Sequence, residues 1–413
     1  MSERRPRRWP WVALAVIVIV VAALVVRVIT LTPPNLIVRV AFPMNVRLPG
    51  AAPEPAWPAG GQAALVAQGI GSLGSAGGDE PRPIASLAKV MTAYLTLSKY
   101  PLSGTGGGFV LTVTPAEARA ELRDAEQDQS VVAVRAGERL DERQLLEALL
   151  VPSGNNIARM LAAYEAGSVS RFVAEMNRTA RALGMDKTTY TDPSGYEPTT
   201  VSDAGDQLRV FRRAVRFAAF RQIVSMSSVS IPVAGKVKNY DPLISAGFYG
   251  KTGSDSEAEG CLAFFKDLRA AGRRLTVVGV VLDQGEGSAT SVILAAAAAS
   301  ARRLVESVAP AIRARTVVPA GTAVIVATSA DGHRVHGVTA GPLRVIGWGG
   351  IPEHLTIRAR SLATDHLSAG ELLGRAALTG NLPTTAAGLT RTAVRTPAAL
   401  AAPGISWRLA HLF

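Results

Sequence analysis

The run from Ser86 to Lys99 constrains the fold more than any other stretch of this chain. On a helix, Leu87, Val90, Met91, Tyr94, Leu95 and Leu97 spread over most of the circumference, so a helix over residues 86–99 needs neighbours on nearly every side. The same run carries Lys89, and an ammonium buried without a partner is costly. Lysine is also scarce, with 7 Lys against 37 Arg in 413 residues. Arg stays protonated in any ordinary protein site, whereas a desolvated Lys can lose its proton and act as a base. Ser86 lies three residues before Lys89, one turn away on the same face, so the two side chains are placed to share a proton.

Two further motifs supply what such a pair needs. Ser153-Gly154-Asn155 follows a helix end marked by Pro152, in the kind of loop that presents polar groups. Ser153 is a candidate relay of a proton to a leaving group, and Asn155 a candidate to hold a substrate carbonyl or orient Lys89. Lys251-Thr252-Gly253 reads as part of a strand; by chance this tripeptide is expected about 0.05 times in such a chain. A peptide substrate can pair along that strand, with Gly253 leaving room for its approach and Lys251 and Thr252 gripping a terminal carboxylate. The backbone N–H groups of Ser254 and Ser86 are candidates for an oxyanion hole. Ser86 at a helix N-terminus gains further support for negative charge. Lys251 is also the candidate second cation that depresses the pKa of Lys89.

Composition narrows the alternatives. The net charge of +12 admits nucleic acid, an anionic membrane or an acidic wall polymer as neighbours. The N-terminus decides among them. Arg4, Arg5, Arg7 and Arg8 precede an uncharged stretch over residues 9–26, whose helix would span about 27 Å, close to the thickness of the bilayer core. A cleaved signal has a shorter apolar core and a small-residue cleavage site, so an uncleaved anchor is expected, with the basic tail cytoplasmic. Everything after it then lies outside, and nucleic acid drops out as a partner. The five His are dispersed and the single Cys261 sits in an apolar strand-like run, which argues against a metal site and leaves no internal disulfide. No cofactor is implied.

The expected organisation is a tail over residues 1–8, an anchor over 9–29, a spacer over 30–60, a main domain over 61–310 and a small β-rich domain with a tail over 311–413. Seven prolines between residues 33 and 58 predict a spacer without regular elements. In the main domain, strands are expected near residues 63–69, 260–266 and 274–283. Helices are expected near 86–99, 141–150, 157–166, 172–183, 203–217 and 291–308. Strands at both chain ends of the domain with helices between them give an α+β fold, a central mostly antiparallel sheet covered by helices.

The three motifs in this order, with Pro83-Ile84-Ala85-Ser86-Leu87-Ala88-Lys89-Val90-Met91, Ser153-Gly154-Asn155-Asn156 and Thr191-Asp192-Pro193-Ser194-Gly195, resemble the serine D-alanyl-D-alanine carboxypeptidases of actinobacterial type, low-molecular-weight penicillin-binding proteins. The resemblance covers about residues 63–308. It implies a β-lactamase/transpeptidase-like fold and removal of the terminal D-alanine from peptidoglycan stem peptides through an acyl-Ser86 intermediate. It also implies Lys89 as general base, Ser153 and Asn155 as its partners, Lys251 and Thr252 as carboxylate binders, and acylation of Ser86 by β-lactam antibiotics. A β-lactamase is the nearest alternative; against it stand Gly154 where Asp is usual there, and the absence of a Glu-x-x-Leu-Asn segment between the second and third motifs. A non-catalytic wall-scaffold protein that kept the fold is opposed by the presence of every motif residue.

Overall fold

The computed structural model describes residues 9–287, 289–379 and 390–413. It divides into two compact units, one formed by Ala52–Arg313 and the other by the chain up to Ala51 together with Ala314–Phe413. The basic tail over residues 1–8 lies outside the described residues.

In the first unit a five-stranded antiparallel sheet runs in the order Phe248–Asp255, Glu259–Ala270, Arg273–Gln284, Gln62–Ala67, Gly71–Ala76. Arg273–Gln284 is buried on both faces. Val278, Val280 and Leu282 join the cluster around the Ala88–Lys99 helix, while the alternate Leu275, Val277 and Val281 are equally buried outside that cluster. Helix Thr290–Val308 packs against Glu259–Ala270 and Arg273–Gln284, and helix Ala204–Ala214 packs against Gln62–Ala67 and the Ala88–Lys99 helix. The sheet is therefore enclosed between helices, as its apolar runs require. Helix Ala88–Lys99 has nine buried positions, Lys89 among them, and touches Glu142–Leu150, Asn155–Ala166 and Ala204–Ala214. Cys261 is fully buried, and burial pushes its thiol up to about 12.

Three local expectations differ from the structure. The turn expected after the first strand continues as the edge strand Gly71–Ala76. Helix Pro115–Glu126 was legible but unread: Thr114 and Glu117 form a reciprocal capping box ahead of Pro115, a T-x-x-E start signal. The helix that carries Lys89 opens with a 3-10 turn over Ala85–Leu87 before the α-helix begins at Ala88.

The larger correction concerns residues 30–60. The second unit holds a seven-stranded sheet among the described residues, in the order Ile37–Val40, Ala323–Thr328, Arg334–Thr339, Arg391–Arg395, Leu372–Leu378, Pro352–Ala359, Asn45–Arg47. Its two outermost strands come from the expected spacer. The prolines do not forbid this, because Pro33, Pro34, Pro43 and Pro49 fall between and beyond the two short strands, and edge strands have one side free of ladder hydrogen bonds. The second unit also carries helix Trp9–Thr30, exposed and long and apolar enough to cross a membrane.

Glu142 offers a test of the packing around helix Ala88–Lys99. It is 1% exposed, its Oε1 has no hydrogen-bond partner, and burial raises its pKa to about 7. An acid whose folded pKa is raised binds more protons folded than unfolded, so it lowers stability as pH climbs from its ordinary value near 4.5 to about 7. Glu142→Gln should leave stability near pH 4 little changed and raise it at pH 7.5, as read by urea unfolding at the two pH values.

Candidate active site

The turn that carries Ser86 is held in an uncommon backbone state. Ala85 has φ +44°, a left-handed conformation that L side chains avoid, and Ser86 follows it. Two glycines make room for this turn. A Cβ on Gly195, itself at φ +76°, would overlap the Ala85 carbonyl oxygen, and one on Gly253 would lie 2.9 Å from the Ile84 oxygen. The strand of the third motif and the loop Thr191–Gly195 thus close on Ser86 from two sides.

Lys89 is fully buried. Its Nζ lies 2.6 Å from Ser86 Oγ, 2.7 Å from Asn155 Oδ1 and 3.1 Å from the carbonyl oxygen of Ser194. The last two groups only accept hydrogen bonds. Asn155 is fixed with Oδ1 inward because its Nδ2 donates to Gln129 Oε1 at 3.1 Å. A neutral amine has two N–H bonds, which Asn155 and Ser194 occupy, so its lone pair is left for the Ser86 hydroxyl. Desolvation holds Lys89 well below its ordinary value, and the charges of Lys251 and Arg159 push the same way, while Asp192 opposes them.

Around this contact the chain is wired through backbone and side-chain bonds. Ser153, at φ +70°, donates from Oγ to Ser86 Oγ at 2.9 Å. Asp192 accepts from Ser194 N, Ser194 Oγ, Tyr196 N and Thr200 Oγ1, which presents the Ser194 carbonyl to Lys89. Asn156 bonds both backbone groups of Val132 and so fixes the segment that bears Gln129 and Ser130. Gly154 is packed against Ile157 and Val132, with no room for a larger residue.

Phe248–Asp255 is an edge strand with its outer side unpaired in the sheet. Thr252, Gly253 and Ser254 line the cleft. Lys251 does not. It is 2% exposed, its Nζ donates to the Thr252 carbonyl at 2.8 Å, and burial pushes it down to about 7 with Asp241 opposing. The cleft has two lobes that share Ser86, Gln129, Ser130 and Ser254. One lobe also carries Asp128, Glu197, Asp255 and Glu257, the other Lys236, Lys238, Tyr240 and Thr252.

Of the residues singled out from the sequence, Ser86, Lys89, Ser153 and Asn155 meet in one hydrogen-bonded cluster, Thr252, Gly253 and Ser254 line the cleft beside it, and Lys251 lies buried behind the strand. The roles of Gln129, Arg159, Asp192 and Asp241 were not read from the sequence, because each acts on a side chain that only the folding of the chain brings beside it. Only Asp192 had a local signal, the Asp-Pro-Ser-Gly run that bends the loop back on itself.

The family profile for the peptidase S11 D-alanyl-D-alanine carboxypeptidases matches residues 62–285. The chain belongs to this family. It is thereby a serine-type hydrolase, a D-alanyl-D-alanine carboxypeptidase by family. Among curated relatives, the D-alanyl-D-alanine carboxypeptidase DacB2 of Mycobacterium tuberculosis is 31% identical over 255 residues, covering 58% of this chain and 82% of the relative. A D-alanyl-D-alanine endopeptidase of Pseudomonas aeruginosa is 33% identical over 242 residues, covering 54% and 71%. The crystal structure of the Streptomyces K15 DD-transpeptidase superposes with a TM-score of 0.51 at 25% identity, covering 63% of this chain and 98% of that one. Penicillin binding protein 5 from Haemophilus influenzae, at 18% identity, shares the fold over 85% of this chain with a TM-score of 0.54. The fold of the carboxypeptidase unit is thus the expected sheet between helices.

Two measurements follow from the site's geometry. Gly195→Ala should cost about 1–3 kcal/mol of stability by forcing a side chain into the Ala85 turn, as read by urea unfolding; an unchanged midpoint would mean that the turn is not held as described. Lys251 gives a pH signature. Between its folded value of about 7 and its ordinary 10.5 the unfolded chain binds more protons, so its contribution makes stability rise with pH over that window. Lys251→Met should flatten the rise, as read by unfolding at pH 7, 8.5 and 10.

Proposed function

We propose that this protein is a membrane-anchored D-alanyl-D-alanine carboxypeptidase that works through an acyl-Ser86 intermediate outside the membrane and is acylated by penicillins. The observation that carries the reading is the Lys89 amine, buried, with two acceptors for its N–H bonds and Ser86 Oγ at 2.6 Å. In this mechanism neutral Lys89 takes the Ser86 proton as Oγ attacks the carbonyl carbon of the penultimate D-alanine of a stem peptide. The backbone N–H groups of Ser86 and Ser254 receive the oxyanion. As the C–N bond breaks, the proton passes from Lys89 through the Ser153 hydroxyl to the departing amine of D-alanine. Water then gives its proton to Lys89 and attacks the ester, and Ser86 recovers its proton. Thr252, with the Lys251 charge behind it, binds the terminal carboxylate, and the unpaired edge of Phe248–Asp255 takes the peptide as an added strand. β-Lactams enter by the same attack, forming a penicilloyl ester in place of the peptidyl one.

Anchoring rests on helix Trp9–Thr30, with the N-terminus on the cytoplasmic side by its cluster of arginines. A chain lacking residues 1–28 is expected to leave the membrane fraction and still react with fluorescent penicillin.

The roles of the charged groups are separable. Ser86→Ala should abolish release of D-alanine from a pentapeptide and covalent labelling by fluorescent penicillin, and retained labelling would refute the nucleophile. The acid limb of the labelling rate against pH reports the pKa of Lys89. Asp192→Asn removes a charge that raises that pKa, and Arg159→Gln one that lowers it. The limb should therefore move to lower pH in the first variant and to higher pH in the second. Shifts of the same sign, or none, would contradict Lys89 as the base.

A further inference from the structure

The seven-stranded sheet of the second unit has one face built from arginine. Arg358 and Arg375 are direct cross-strand partners, and the adjacent pairs Thr356 with Ala377 and Ala377 with Arg391 place Arg391 on the same face. These three arginines, with Thr356 and Thr379, line a shallow concavity open to solvent. All three arginines are exposed. Like charges set directly opposite each other across two strands are destabilising, and among the described residues no opposite charge offsets them. Among the described residues of this unit, the acid–base contacts are His333 with Asp331 and His366 with Asp365. Among the described residues no carboxylate pairs with Arg358, Arg375 or Arg391. Glu353 is the single carboxylate within the described strands of this sheet, and it points the other way, 4% exposed. Arg39 and Arg334 extend the charge of the same face to the far strands, since Arg39 pairs with Val326, Val326 with His336, and Arg334 lies two residues before His336.

The unit bearing this face is also the unit bearing the apolar helix. Six residues separate Thr30 from the strand Ile37–Val40, a tether that spans at most about 25 Å when fully extended. The other end of the chain is tied to the same place, with Arg27 Nε donating to the Leu412 carbonyl at 3.0 Å and an Arg408 guanidinium N–H to the Ile29 carbonyl at 3.0 Å. Anchored so closely, a surface of unpaired arginines is within reach of lipid phosphates.

We propose that the Arg358, Arg375 and Arg391 concavity is a docking site for the phosphate headgroups of anionic phospholipids in the bilayer that holds helix Trp9–Thr30, so that the second unit lies against the membrane surface. This rests on the anchored reading of that helix. Arginine in bidentate geometry suits phosphate, and Thr356 and Thr379, whose hydroxyls bond each other, line the same concavity. The attraction of such a surface to an anionic leaflet decays within a Debye length, so it operates only because the tether is short.

The test uses the full chain in lipid nanodiscs. Cys261 is buried, so a His354→Cys substitution on the same face gives a single accessible site for a fluorophore whose energy transfer to a headgroup-labelled lipid reports approach. Transfer is expected to be at least about twofold higher in discs containing phosphatidylglycerol than in phosphatidylcholine alone, and to fall to the phosphatidylcholine level in about 0.5 M salt. It should fall equally in the Arg358→Gln, Arg375→Gln, Arg391→Gln triple variant, whose unfolding midpoint should not drop because a repulsive pair has been removed. Equal transfer in both lipids, or transfer unchanged by the triple variant, would overturn the proposal. So would lipid-independent transfer accompanied by loss of retention on immobilised polyphosphate in the variant, which would assign the face to a phosphate-bearing wall polymer. Retention of the chain in phosphatidylcholine discs reports the anchor separately. A chain that does not stay in those discs refutes the anchor and the docking site with it, whereas retention without a lipid effect refutes the docking site alone.

Discussion

The buried amine of Lys89 is the constraint that the rest of the carboxypeptidase unit serves. An ammonium at that position would need three acceptors and an offset for its desolvation, and the site supplies two acceptor-only groups and two nearby cations, Lys251 and Arg159. The neutral amine is the form that fits. Each acceptor comes from a different stretch of chain. Asn155 is presented by the turn after Glu142–Leu150, and the Ser194 carbonyl by a loop that Asp192 folds around its own carboxylate. The helix that carries Lys89 has to be enclosed to keep water away, which explains why its nine buried positions include a lysine and two threonines bonded to backbone or carboxylate groups.

The same constraint shapes the backbone. Ser86 must lie close to Lys89, to Ser153 and to the edge strand at once, and the chain achieves this with a left-handed Ala85 and two neighbouring glycines that leave space where any side chain would collide. Lys251 completes the arrangement from behind the strand. Sequence pattern assigned it a grip on the substrate, but it is buried behind the strand with its Nζ on the Thr252 carbonyl, burial pushes it down to about 7, and in its charged form it lowers the pKa of Lys89.

Much of this was legible in the sequence because the signals were local. The i, i+3 spacing of Ser86 and Lys89, the apolar circumference of their helix and the long Val-rich strand before Asp283 each fix an element without reference to the rest. What stayed hidden depends on contacts distant in sequence. Gln129 matters because it orients Asn155, Asp192 because it turns a carbonyl toward Lys89, and Arg159 because helix packing brings its charge near; of the three only Asp192 has a local sign, its Asp-Pro-Ser-Gly run. The spacer was misread for a related reason. Seven prolines argue against a regular element only if strands need to be long or central, and Ile37–Val40 and Asn45–Arg47 are short strands at the two edges of a sheet whose other members lie about 300 residues away.

The central claim, that Lys89 is the amine free of its proton at neutral pH, is open to direct measurement. With 7 lysines in the chain, the Nζ and Cε resonances of selectively labelled protein can be assigned one by one by substitution and followed with pH. The expected result is that Lys89 titrates well below the ordinary lysine value of 10.5, and that its midpoint rises when Lys251 is replaced by Met. A Lys89 resonance that titrates near 10.5 would contradict the account.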